Sequence, residues 1–296
     1  MASSRFDNIK YSDGANFKVP SQIKVYNGSS WVDLGRKDSD NTRKLVVYDG
    51  SNFDCVTYKK RVVNVPGYAS FGSNRYADIK KGDGSIQSVD NWLTGYHCEM
   101  VVEVNSSSSL YMARSTNQGD IEYSYTEYRA DVSGNTVRFR CRSRFRGYMS
   151  DAGGAWGDSS SNEATGYVWT VGEKVRIVLH KTNRNGLLNV KVYNPSGVLL
   201  CDNNLKEKTL QVWTPKFHRL GAGLDANDNV VSEGDFKMYS FNITPISNRD
   251  NVMYLDFNSV NSGSTRVNAT GYGGYVDLVN TSTYKANYDA WDRQTI

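Results

Sequence analysis

The sequence predicts an all-β chain, and three observations carry that prediction. Runs of helical period built from Leu, Ala, Glu and Lys are missing across the 296 residues. In their place come short runs rich in Val, Ile, Thr and Tyr, separated by Gly, Asn, Asp and Ser. The composition agrees, with 26 Gly and 20 Tyr against 5 Pro. The expected architecture is a region of repeated β-hairpins over residues 1–62, then a jelly-roll β-sandwich over 63–247. Strands in 248–296 either complete the sandwich or contact a neighbour.

The first element is an internal repeat. Ile23-Lys-Val-Tyr-Asn-Gly-Ser-Ser-Trp-Val-Asp-Leu34 aligns without gaps on Leu45-Val-Val-Tyr-Asp-Gly-Ser-Asn-Phe-Asp-Cys-Val56. Tyr26 matches Tyr48, and Trp31 matches Phe53. A weaker copy, Tyr11–Val19, puts Asp13-Gly14 and Phe17 in the same roles. Asn-Gly and Asp-Gly supply the positive φ angles of a tight hairpin. An isolated hairpin is marginal in water, so these aromatics need another surface. They either cap the main domain as an ordinary meander or dock onto a particle or sister subunit. The docking candidates are Phe17, Tyr26, Trp31, Tyr48 and Phe53.

The bulk numbers exclude several classes. Mean hydropathy is −0.57, and no run approaches the ~20 apolar residues of a membrane helix. The start, Met1-Ala-Ser-Ser-Arg-Phe, has no signal-peptide pattern, so synthesis in a host cytoplasm is expected. A net charge of +4 is too mild to predict nucleic-acid binding. Cys55, Cys98, Cys141 and Cys201 lie far apart with no CxxC pair, which predicts free thiols. No cofactor motif is present.

Two resemblances add to this. The Val25-Tyr-Asn-Gly-Ser-Ser-Trp31 hairpin resembles those of tail, fibre and head-decoration proteins of tailed bacteriophages, over residues 9–60. Further on, Trp169-Thr-Val-Gly-Glu-Lys-Val-Arg-Ile-Val-Leu-His-Lys181, Val190–Asp202 and Gly234–Ile243 resemble strands of the concanavalin-like and laminin-G-like lectin sandwiches, over roughly 65–245. Together they imply a virion component that binds other virion proteins, sister subunits or a host-surface glycan, as a homo-oligomer.

The most informative local feature is a hairpin. Gly119–Val132 leads through Ser133-Gly-Asn135 into Thr136-Val-Arg-Phe-Arg-Cys-Arg-Ser-Arg-Phe-Arg146. Strand alternation puts Arg138, Arg140, Arg142, Arg144 and Arg146 on one face and Phe139, Cys141, Ser143 and Phe145 on the other. A two-residue turn sets that arginine face against Tyr123, Tyr125, Glu127, Arg129 and Asp131. So many parallel cations call for partners. The face reads as a site for an anionic glycan, as a contact for an acidic subunit, or as a solvated sheet. Tyr123, Tyr125, Arg140, Arg142, Arg144 and Trp156 are the binding candidates, with Trp156 placed in a Gly/Ser/Asp-rich loop over 151–162.

Enzymatic readings fare worse. A depolymerase on a glucanase-like sandwich is the alternative function and needs paired carboxylates on one face. Glu122 and Glu127 are five apart and fall on opposite faces, while Asp120 and Glu122 share a face without a third acid. No catalytic residue is assigned. The loop Asp225-Ala-Asn-Asp-Asn229 offers Asp225, Asn227 and Asp228 as calcium candidates, against a plain turn. His97, His180 and His218 sit apart from any nucleophile, and Trp92, Trp169 and Trp213 read as core.

Overall fold

Alternation decides the layers. In Tyr96–Val104 every second side chain, Cys98, Met100, Val102 and Val104, is fully buried, while those between are half-exposed. The same two-residue period runs through Lys174–Lys181, Leu188–Tyr193 and Tyr275–Val279. Such strands need one dry neighbour layer, and two stacked sheets supply it.

The computed structural model describes residues 11–12, 17–18, 24–26, 31–33, 42–48, 53–64, 67–85, 95–118, 121–149, 155–182, 187–207, 217–246, 253–271, 273–285 and 287–294. Every regular element among them is a strand, and every pairing given is antiparallel. The chain divides into two units, residues 1–65 with 287–296, and residues 66–286.

The larger unit is the sandwich. Its first sheet runs, in spatial order, Ala155–Ala164, Thr136–Met149, Ile121–Ser133, Ser108–Gln118, Phe217–Leu220, Tyr76–Lys80, Tyr275–Val279 and Arg266–Asn268. The second runs Leu199–Leu205, Leu188–Tyr193, Lys174–Lys181, Tyr96–Val104, Phe236–Pro245, Met253–Asp256 and Thr270–Gly271. Tyr68–Phe71 joins the second sheet beside Phe236–Pro245, and Thr283–Tyr284 pairs with it in turn. Between the sheets lies one apolar cluster that includes Phe71, Tyr111, Phe139, Phe236, Phe241 and Phe257. Burying each such ring contributes roughly 1.5–3 kcal/mol. Trp169 is part of this core, as its apolar setting predicts. Cys98, Cys141 and Cys201 are free and buried.

In the smaller unit the described strands pair Tyr11–Ser12 with Phe17–Lys18, Lys24–Tyr26 with Trp31–Asp33, and Thr42–Tyr48 with Phe53–Asn64. Tyr26 stands opposite Trp31, and Tyr48 opposite Phe53, so equivalent repeat positions hold equivalent register. The side chains of Phe17, Tyr26, Trp31, Tyr48, Phe53 and Cys55 lie outside the described part of the structure, as do Trp92 and Trp213. The last segment of the chain is shared. Strands from Met253 to Tyr284 belong to the sandwich sheets, whereas Asn287–Gln294 pairs with Phe53–Asn64.

Candidate functional site

The site lies on the outer face of the first sheet. Ser133 pairs with Thr136 across a Gly134-Asn135 turn, and Gly134 supplies the positive φ of 57° that this turn needs. The register that follows sets Tyr125 opposite Arg144, Glu127 opposite Arg142, Arg129 opposite Arg140, and Asp131 opposite Arg138. Tyr123 stands opposite Arg146. The arginine row and its opposing row are therefore neighbours on one face.

The stretch read as a loop over 151–162 is in part a strand, a correction to the sequence reading. Ala155–Ala164 pairs with Thr136–Met149 along ten residues. Its Ser and Asp content predicts a turn, but Asp158, Ser161 and Asn162 find side-chain partners on Thr136–Met149. Arg144 donates to Asp158 at 3.1 and 2.7 Å, Ser143 and Ser161 hydroxyls meet at 2.7 Å, and Arg140 Nη1 donates to Asn162 Oδ1 at 2.8 Å. The Arg144 hydrogen bonds hold the Asp158 carboxyl below its ordinary range. Trp156 is paired with Tyr148 in this ladder, and its side chain, like that of Tyr123, lies outside the described part.

A second hairpin crosses the same face. Gly223–Leu224 pairs with Val230–Val231, and Leu224 and Val230 pack on Met112, Tyr125 and Phe217. Gly223 is required by this close approach, because a Cβ there would stand 2.6 Å from Glu127 Oε1. Tyr125, expected to offer an open ring, is instead buried beneath the hairpin.

Charge compensation on this face is extensive. Glu127, 0% exposed, accepts from Arg129 Nη1 at 2.8 Å and from Arg142 Nη1 at 3.0 Å. Burial raises its carboxyl above the ordinary value, and the two guanidiniums pull it back down. Arg129 also donates to Glu233 on the far side of the crossing hairpin. Asp131 accepts from Arg140 Nε at 2.5 Å and Arg138 Nε at 3.4 Å. Of the arginines that motivated the anionic-ligand reading, Arg138, Arg140, Arg142 and Arg144 hold carboxylates. Together these groups wall an open groove of about 440 Å³, lined by Arg129, Asp131, Arg140, Arg142, Asn162 and Glu233, with Leu224, Asp225 and Ala226 of the turn also bordering it.

The proposed calcium loop forms that turn. Asp225 Oδ1 accepts the backbone N–H groups of Asn227 and Asn229, each at 2.8 Å, and Oδ2 accepts Asn229 Nδ2 at 3.1 Å. These bonds, led by the Asn229 side chain, hold the Asp225 carboxyl below its ordinary range. The Asp228 carbonyl accepts from Arg114, and its carboxylate lies 3.9 Å from Arg144 Nη1. Two of the three candidates are thus already engaged, one of them by guanidiniums. Among the described residues no group of three His, Cys, Asp or Glu side chains is placed to hold a metal.

Asn162, Glu233 and Gly223 were missed by sequence reasoning. No local signal marks Glu233, which reaches Arg129 only through the tertiary crossing. His97 and His180, on separate strands, stand opposite each other with ring centroids 6.0 Å apart on the second sheet.

No protein-family model matches the chain, and no curated protein matches it in sequence. Solved structures overlap it weakly. The native heptameric SAP-like pentraxin from Limulus polyphemus shares 8% identity over 61% of this chain and 76% of its own, at a TM-score of 0.37. The basic winged bean lectin with Tn-antigen shares 9% over 84% and 90%, at 0.29. Scytalido-glutamic peptidase shares 7% over 71% and 98%, at 0.29.

Proposed function

We propose that the chain is a non-enzymatic attachment protein of a phage particle, which docks through its amino-terminal hairpins and presents the sandwich groove to a surface glycan. The observation that carries the glycan reading is the groove itself. Guanidinium donors and carboxylate or amide acceptors line it together, and Arg140, Arg142, Asp131 and Asn162 are held by partners in the sheet. A sugar hydroxyl both donates and accepts, so such a wall satisfies neighbouring hydroxyls without rearranging.

Binding without turnover is favoured by the burial of Glu127. Its carboxyl, raised by desolvation, is fully buried and holds two guanidiniums. A glycosidase acid has to reach the glycosidic oxygen. The virion role rests on the repeat, its phage resemblance and the matching register of its two longer copies.

One experiment addresses both halves. Purified chain is incubated with host-surface polysaccharide while retention and released reducing ends are followed, and particles assembled with Trp31→Ala/Phe53→Ala are assayed for the chain. Retention without reducing ends, and loss of the double variant from particles, is the expected outcome. Steady release of reducing ends contradicts the binding role, and normal incorporation contradicts the docking role.

A further inference from the structure

We infer that the groove selects uncharged glycans over acidic ones, a specificity that rests on the glycan reading above. The argument is one of charge placement. Three arginines, Arg129, Arg140 and Arg142, line the groove, and three acids, Asp131, Asp225 and Glu233, line it with them. Glu127 lies directly behind as a further carboxylate. The +4 charge of the whole chain therefore does not concentrate here.

The guanidiniums are also pinned. Arg129 and Arg142 share Glu127, whose side chain is 0% exposed. A uronate or sulfate that drew either arginine away would leave a carboxylate buried with one partner fewer. Stripping a buried ion pair costs more than a new solvent-exposed pair returns. Arg140 is held on both sides, by Asp131 at 2.5 Å and Asn162 at 2.8 Å. An acidic ligand would in addition approach Asp131, Asp225 and Glu233 at close range, and like charges brought together suppress binding.

A neutral hydroxyl meets none of these costs. Each guanidinium carries five N–H donors and uses only some of them in its ion pair, and each carboxylate oxygen accepts more than one hydrogen bond. Arg140, Arg142, Asp131 and Asn162 stand on three paired strands, which fixes their spacing. Uncharged hexose units, with a donor and an acceptor at every hydroxyl, match that array without breaking it.

The test holds shape constant and changes charge. Neutral hexose oligosaccharides are arrayed beside the same oligosaccharides oxidised at C6 to uronates, and the full-length chain is titrated with the best pair at low and high salt. The neutral member is expected to bind about tenfold or more tightly than its uronate, with an affinity that changes less than about twofold with salt. Ala226→Trp, which fills the groove from an exposed turn position without removing a member of any ion pair, is expected to abolish binding of the neutral member. Asn162→Ala, at an exposed position, is expected to weaken it and serves as the milder second variant. Tighter binding of the uronate, lost at high salt and in both variants, overturns the neutral preference while keeping the groove as a glycan site. Binding of neither series, or binding unchanged in both variants, overturns the glycan site and the preference together.

Discussion

Two buried glutamates do different work in this sandwich. Glu207 sits between the sheets: its carboxylate takes hydrogen bonds from Lys181 at 2.9 Å, Tyr128 at 2.9 Å and Tyr96 at 2.8 Å, and Thr126 lies 3.4 Å away. Tyr96 and Lys181 belong to the second sheet, and Tyr128 and Thr126 to the first, so this cluster ties the layers across the core. Glu127 sits under the outer face of one sheet and ties strands within it. Equal burial therefore does not mean equal function. A sealed cluster fixes how the sheets meet, while a cluster one layer below solvent fixes which donors a ligand encounters.

That contrast can be broken in stages. The largest effect is expected for Glu207→Ala, which leaves the Lys181 ammonium in the interior, where its side chain is 4% exposed. Denaturant unfolding should show a loss of about 3–5 kcal/mol, with neutral-glycan affinity unchanged below the transition. Glu127→Gln keeps the volume and removes the charge. It should cost about 1–3 kcal/mol and narrow the preference for neutral glycans, because Arg142 loses its carboxylate partner while Arg129 keeps Glu233. Loss of stability with unchanged selectivity would show that Glu127 has only a structural role.

A measurement against pH sharpens the comparison further. Burial drives the His218 imidazole from 6.5 down to about 3, so the folded chain holds it neutral. The unfolded chain takes up that proton first. The stability due to His218 is thus fully present above pH 6.5 and is lost as pH falls toward 3, at up to about 1.4 kcal/mol per pH unit. Unfolding midpoints measured across that range should fall less steeply for His218→Asn than for the parent chain. Parallel curves would contradict the assignment.

Much of the site was legible because strand parity is a local rule. Arg138 through Arg146 had to share a face, and the Gly134-Asn135 turn had to set that face against Tyr125, Glu127, Arg129 and Asp131. The all-β class and the sandwich followed from the same period. What escaped was tertiary. Ala155–Ala164 reads as a loop because Ser, Gly and Asp are poor strand formers, yet Arg140, Ser143 and Arg144 recruit it through cross-strand polar pairs. Tyr125 was placed on the correct face, but its cover, Leu224 and Val230, comes from about a hundred residues away. Glu207, in the polar run Asp202-Asn-Asn-Leu-Lys-Glu207, looks solvated until Lys181 and two tyrosines enclose it.

A crystal of the full chain soaked with the neutral oligosaccharide selected on the array tests the central claim most directly. Sugar density against Arg140, Arg142 and Asn162, with the Arg142–Glu127 pair intact, is the result this account requires. Density seated only on the second sheet, for example on the half-exposed Tyr284 ring beside Tyr68, would contradict it.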